Sequence, residues 1–149
     1  MTDPIRSKIM RSIKSKDTKP ELLVRRGLHK KGFRYRVHSK TLVGHPDIVL
    51  RRYKAIVLVN GCFWHGHSCH IFKIPKQEKW REKIQRNRVR DEINKLLYET
   101  SGWRVLEIWE CALFGKTALP TEEVISSAAA WIQFGDSDAE ITGKNQETH

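Results

Sequence analysis

An α/β fold, a mixed β-sheet flanked by helices, is predicted from three observations. Two β-branched runs, 47–50 and 55–59, are separated only by the charged turn 51–54 and read as neighbouring central strands. Three segments, 21–31, 77–100 and 121–135, carry helix starts and stops. The resulting order of helix, β-hairpin, helix, strand, helix places helices against a sheet. At 149 residues the chain is long enough for one sizeable core and short for two.

The elements follow in order. Residues 1–19 carry Arg6, Lys8, Arg11, Lys14, Lys16 and Lys19 with few apolar positions, which predicts a basic arm outside the core. Asp17 or Thr18 supplies a cap and Pro20 a first-turn proline, so 21–31 reads as a helix stopped by Gly32. Phe33, Tyr35 and Val37 alternate with Arg34, Arg36 and His38, the period of a half-buried strand. The turn 43–46 then leads into the two central runs.

Over 77–100 the apolar residues Trp80, Ile84, Val89, Ile93, Leu96 and Leu97 recur mostly at steps of three to five, and Gly102 closes a long helix. Its other face bears Lys79, Lys83, Arg86 and Arg90. Residues 103–109 read as a further strand, and Thr121 caps a last helix running through Trp131 to Gly135. Residues 136–149 are polar and expected to be disordered. The predicted organisation is therefore an arm at 1–19, one domain at 20–135 and a tail at 136–149.

Lys and Arg number 28 against 17 Asp and Glu, a net charge of +11. The tail contributes −3, so residues 1–135 carry +14. Such an excess favours a polyanionic partner, although charge by itself does not choose among DNA, RNA and an acidic membrane. No apolar run approaches the roughly 20 residues needed to span a bilayer, and the N-terminus lacks the apolar core of a signal peptide. A soluble, intracellular protein is expected. In a reducing compartment, three cysteines near histidines serve better as metal ligands than as disulfide partners.

Those cysteines lead to the stretch NGCFWHGHSCH, residues 60–70. Cys62, Cys69 and the distant Cys111 account for every cysteine, and with one imidazole they form the soft set that tetrahedral zinc takes. Such a closed site would tie the end of the strand 103–109 to the loop after Val59. Spacing leaves open whether His65, His67 or His70 completes the set. The plainer alternative makes the cysteines small buried apolar groups.

A hydrolytic site is also readable. Asp47 follows Gly44-His45-Pro46 and opens a strand, holding a carboxylate near a sheet end where Mg²⁺ could reach it. His65, a few residues past the adjacent strand, is placed to act as general base on a water attacking phosphorus. The alternative is that Pro46-Asp47 only starts a strand.

The segments RSKIMRSI, DTKPE, GHPDIVL, NGCFWHGHSCHIFKIP, KWREKIQRNRVRD and GWRVLEIWECAL, in this order and spacing, resemble the very-short-patch-repair (Vsr) mismatch endonucleases over residues 6–131. The resemblance implies a restriction-endonuclease-like sheet, a structural zinc, and Mg²⁺-dependent nicking of double-stranded DNA on the 5′ side of a T mispaired with G. Such mispairs arise when 5-methylcytosine deaminates.

Residue by residue, it implies that Asp47 and the Val59 backbone carbonyl hold Mg²⁺, that His65 activates water and that Glu21 supports the ion's water shell. The zinc ligands would be Cys62, His67, Cys69 and Cys111. Phe63, Trp64 and Trp80 would be wedged beside the mispair from the major groove and Met10 from the minor groove. Lys83 and Asn87 would read base edges, with Arg6 and Lys8 near the DNA backbone. Core packing is the plainer role for the aromatics, and a solvated face for the polar residues.

The chain departs from the family pattern where Val59-Asn60 replaces the usual Thr-His. A backbone carbonyl ligand survives the first change. At Asn60, counted with the catalytic set, a neutral amide can hydrogen-bond but cannot carry a proton.

The expected protein is a monomeric bacterial nickase of the cytoplasm, associated with the nucleoid when on DNA and open to a mismatch-repair protein partner. Relaxed mismatch or restriction-like cutting is one alternative, and a non-catalytic zinc-stabilised DNA-binding module is another. Mere binding would not require Asp47, His65 and Glu21 together.

Overall fold

A computed structural model describes residues 18–69 and 73–144. Helix α1, Lys19–Lys30, starts where Thr18 leaves the helix path in an extended conformation; its side chain accepts from the Glu21 amide, and Pro20 occupies the first turn. Strand β1, Arg36–Val37, and strand β2, Ile48–Leu50, follow. A 3-10 turn, Arg51–Tyr53, leads into strand β3, Ala55–Asn60. Helix α2 spans Glu78–Thr100 and strand β4 Arg104–Trp109. A short helix α3, Glu110–Leu113, helix α4, Thr121–Phe134, and strand β5, Ala139–Ile141, complete the order.

The strands form one sheet in the order β1-β2-β3-β4-β5. β1, β2 and β3 are antiparallel neighbours, whereas β3 with β4 and β4 with β5 run parallel. The sheet is therefore mixed, as the sequence predicts. The long α2 is the crossover that a parallel β3-β4 pair needs.

Strand residues alternate between two faces. Ile48, Leu50, Ala55, Val57, Val59, Leu106 and Ile108 face α1 and α4 and join Val24, Leu28, Val124, Ile125, Ala128 and Ile132 in the main core. The opposite face supplies a smaller cluster of buried Val49, Ile56 and Val105, packed with Tyr98 and Trp103 and flanked by half-buried Leu42 and Leu58. Among the described residues, no helix is long and apolar enough to cross a membrane.

Several expectations differ from the structure. Of the alternating segment 33–37, only Arg36 and Val37 are strand and both are exposed; Phe33 instead enters the core directly after α1. The last helix takes Pro120 rather than Thr121 at its cap position, without a side-chain cap bond.

Of the apolar row assigned to α2, Ile84 is buried and Trp80 half-buried, but the remainder faces outward. Val89, Ile93, Leu96 and Leu97 are exposed, and only Ile84 and Tyr98 of the helix are buried. Half-buried Asn87, Asp91, Asn94 and Lys95 lie on the inward side, where polar bonds rather than apolar burial choose the face.

Within 136–144, expected to be part of a disordered tail, Ala139–Ile141 form strand β5. Asp138 accepts from the Val105 amide at 2.8 Å, Glu140 from the Trp109 indole at 3.1 Å, and β5 pairs with β4 between them. Backbone pairing and acid side chains hold this edge strand, which is why low hydropathy misjudges it.

Candidate active site and metal centre

Both clusters gather where β3 ends. The strand runs directly into a tight turn, with the amides of His65, Gly66 and His67 bonded to the carbonyls of Gly61, Phe63 and Cys62. Gly66 has φ +61°, and a Cβ there would lie 2.9 Å from Arg88 Cδ and 3.1 Å from Ile84 Cγ2, so the turn requires glycine.

The turn brings Cys62, His67 and Cys69 to Cys111 of α3, with all four ligand atoms within 4.8 Å of one another. His67 Nδ1 is 3.5 Å from the Cys62 sulfur and 3.6 Å from that of Cys111. Its ring stacks on Trp109 at 4.0 Å and 7°. Burial and the neighbouring thiols push Cys62 well above the ordinary thiol range, and burial also pushes Cys111 up. Burial lowers His67, against the charge of Glu140. Crowded thiols beside a neutral imidazole are costly as a bare group and suited to a cation, whose charge reverses the thiol preference. The set could hold a metal ion.

The second cluster joins the start of α1 to the start of β2. Glu21 is 1% exposed; its Oε2 lies 2.7 Å from His38 Nε2 and accepts from Arg25 Nη1 at 3.1 Å. Asp47 accepts from the Val59 amide at 2.8 Å and lies with Glu21 and His38 in a group whose ligand atoms are all within 4.8 Å. Desolvation by burial is the main force pushing the Asp47 carboxyl up to about 7; the Glu21 charge adds to it, while the Val59 bond, His38 and His65 oppose it. Buried carboxylates crowded in this way favour a cation between them.

The loop that presents Asp47 is held in an uncommon conformation. His38 has φ +48°, His45 φ +46° and Gly44 φ +74°; a Cβ on Gly44 would meet Asn94 Nδ2 at 2.4 Å. Beside this loop, His65 Nδ1 lies 2.5 Å from Asp91 Oδ2. A carboxylate at Nδ1 orients the ring and leaves Nε2 for another partner.

Asn60 is buried, and its amide donates to Glu107 on β4. Phe63 and Trp64 meet edge to face at 4.8 Å, Trp64 and Trp80 at 5.7 Å, and the Lys83 ammonium lies 5.0 Å from the Trp64 ring. All three aromatics are half-buried. Asn87 is already engaged within the protein: it donates to the Trp64 carbonyl at 3.0 Å and accepts from Arg90 at 2.9 Å. Arg6, Lys8, Met10 and His70 lie outside the described residues.

Sequence reading missed His38, which alternation assigns to a polar strand face, and Asp91, which has no local signal because its partner lies 26 residues away. An inward-facing acid on a helix otherwise rich in Lys and Arg is a usable clue only once the apolar row is known to face outward.

Crowded carboxylates beside a histidine–aspartate pair, on a strongly basic α/β domain, form an arrangement that metal-assisted phosphodiester hydrolysis could use. A family profile described as DNA mismatch endonuclease Vsr matches residues 1–71. Over 113 residues the chain is 50% identical to the type II nicking enzyme V.NmeAIP of Neisseria meningitidis, covering 74% of this chain and 81% of that protein. It is 42% identical to V.XorIIP of Xanthomonas oryzae pv. oryzae, also a type II nicking enzyme, over 80% of this chain and 92% of the relative. Against the DNA mismatch endonuclease Vsr of Escherichia coli the identity is 39%, over 91% and 88% of the two chains. The chain belongs to the Vsr family of DNA mismatch endonucleases.

Proposed function

We propose that this protein is a Mg²⁺-dependent, strand-specific endonuclease that nicks double-stranded DNA 5′ of the T in T:G mispairs left by 5-methylcytosine deamination, on a variant of the restriction-endonuclease sheet. The observation that carries the reading is the Glu21, His38 and Asp47 group beside the His65–Asp91 pair. Binding alone does not require two crowded carboxylates and an oriented imidazole. The names of the relatives supply the substrate class.

Asp47 and the Val59 carbonyl would hold Mg²⁺, with Glu21 and His38 around its water shell. When bound, the ion would neutralise charge developing on the phosphate. Asp91 holds His65 through Nδ1, so Nε2 is the atom that takes the proton from the attacking water. Zinc is the ion that the Cys62, His67, Cys69 and Cys111 donors suit, and its role would be to fix the turn carrying His65.

Phe63, Trp64 and Trp80 form the wedge in this reading. Unstacking a base step costs a few kcal/mol, roughly, and less beside a weakly held wobble pair, so insertion favours mispaired DNA. Monomeric action on cytoplasmic, nucleoid DNA, with a mismatch-repair protein as a further partner, belongs to the same proposal.

The test is nicking in Mg²⁺ of end-labelled duplexes carrying T:G, other mispairs or a matched pair in several methylation contexts. Wild type should make a single nick 5′ of the mispaired T; Asp47→Ala should make none and His65→Ala should be slowed by orders of magnitude. Cutting at several mispairs would replace T:G selectivity with relaxed specificity. Tight binding with no nick at any Mg²⁺ concentration would leave a DNA-binding module.

A further inference from the structure

The sheet face that carries Asp47 holds a second polar network with no part in the mechanism above. Ile48 pairs with Val57, so continuing the register sets Asp47 opposite Leu58, and Leu58 pairs in turn with Glu107. Asp47, Leu58 and Glu107 thus form one row across three strands. Asn60 lies two residues beyond Leu58 on the same face.

Asn60 is 6% exposed, and its Nδ2 donates to Glu107 Oε2 at 2.9 Å. Glu107 Oε1 accepts from Lys95 Nζ of α2 at 3.0 Å. Burial would lower Lys95, but Glu107 and Glu92 outweigh it and raise its affinity for the proton, so the ammonium stays charged.

A carboxylate can only accept, and an ammonium can only donate. With Lys95 on one oxygen of Glu107, the other oxygen dictates that Asn60 present its NH₂, which turns Oδ1 away from β4. Among the described residues no group donates to Oδ1, and that atom is not one sealed from water without a partner.

We infer that Glu107 and Lys95 are positioning residues: they lock the Asn60 carboxamide so that Oδ1 stands as a fixed hydrogen-bond acceptor for a water beside Asp47. The inference rests on the nicking reading and extends it to Glu107 and Lys95, which act through Asn60.

The arrangement predicts sign-reversing mutant behaviour. In Glu107→Gln, Lys95 keeps the oxygen of the substituted carboxamide, its nitrogen faces Asn60, and the Asn60 carboxamide must turn, so a donor replaces the acceptor in the cleft. Single-turnover nicking of T:G duplex at saturating protein should fall about 10–100-fold, as for other outer partners of a site, with DNA affinity unchanged. Asn60→Asp alone sets two carboxylates against each other and should fall comparably. The double variant restores a donor to an acceptor and leaves one carboxylate oxygen facing the cleft, so its rate should return to within several-fold of wild type.

An independent readout is the ¹H–¹⁵N spectrum of the zinc-loaded full chain without added Mg²⁺. The Asn60 side-chain amide should exchange slowly in wild type and rapidly in Glu107→Gln. Near-unchanged melting of each variant shows that the fold is kept. If wild type nicks but the double variant is no better than the worse single one, or Glu107→Gln leaves both rate and amide signal unchanged, the inference falls and the nicking reading stands. A wild type that nicks no duplex overturns both.

Discussion

The two faces of the sheet are built from alternate residues of the same strands and do opposite things. Toward α1 and α4, Ile48, Leu50, Val57, Leu106 and Ile108 enter a continuous apolar core. Toward α2, the intervening positions include Asp47, Asn60 and Glu107, which bond to Val59, Glu107 and Lys95 instead of packing. A side-chain period of two lets one strand feed stability to one face and chemistry to the other. The polar face is also the one that gives up stability: Asp47 resists ionising there.

That contrast can be broken in several places. The greatest effect is expected at the junction of the two faces, where Cys62, His67, Cys69 and Cys111 meet. Stripping a bound ion with a strong chelator and returning Mg²⁺ alone should abolish nicking and lower the melting temperature by more than any substitution below, because binding energy at such closed sites is folding energy. Readdition of Zn²⁺ should restore both, followed by melting and nicking in parallel.

Next comes His65→Ala, which should cut the nicking rate by about 10²- to 10⁴-fold with the melting temperature nearly unchanged. On the opposite face Leu106→Ala should do the reverse. It empties part of the main core at a cost of about 2–5 kcal/mol, read by denaturant unfolding, while protein still folded keeps its nicking rate. The smallest effect should be at the exposed apolar row of α2: Ile93→Glu should shift stability by no more than about 0.5 kcal/mol. A large loss there would mean that the row is buried in solution.

The apolar face was the legible one. Thr18 and Pro20 mark the start of α1, and the runs around 48–50 and 55–60 mark β2 and β3, because burial on a regular period writes itself into local sequence. The same method selects the wrong face of α2, since it weighs Val89, Ile93, Leu96 and Leu97 and ignores where Asp91 and Lys95 find partners. β5 is missed for a related reason: Asp138 and Glu140 dock it through hydrogen bonds.

In the site, clustering makes the cysteines conspicuous, and Gly44-His45-Pro46-Asp47 marks a strand opening. His38 and Asp91 become visible only when tertiary structure closes separations of 17 and 26 residues onto Glu21 and His65.

The most direct measurement of the division between faces is Asp47→Asn, with melting and nicking followed across pH. A carboxyl whose pKa is raised by folding holds its proton more tightly in the native state, so folding stability falls as pH rises from the unfolded value near 4 through about 7. The full shift corresponds to about 4 kcal/mol, which water reaching this half-buried group reduces. Without added Mg²⁺, the variant should match wild type near pH 4 and melt higher at pH 8; with Mg²⁺ added, it should fail to nick duplexes that wild type cuts. A variant that nicks normally, or melts lower than wild type at pH 8, would contradict the account of a sheet face that gives up stability for chemistry.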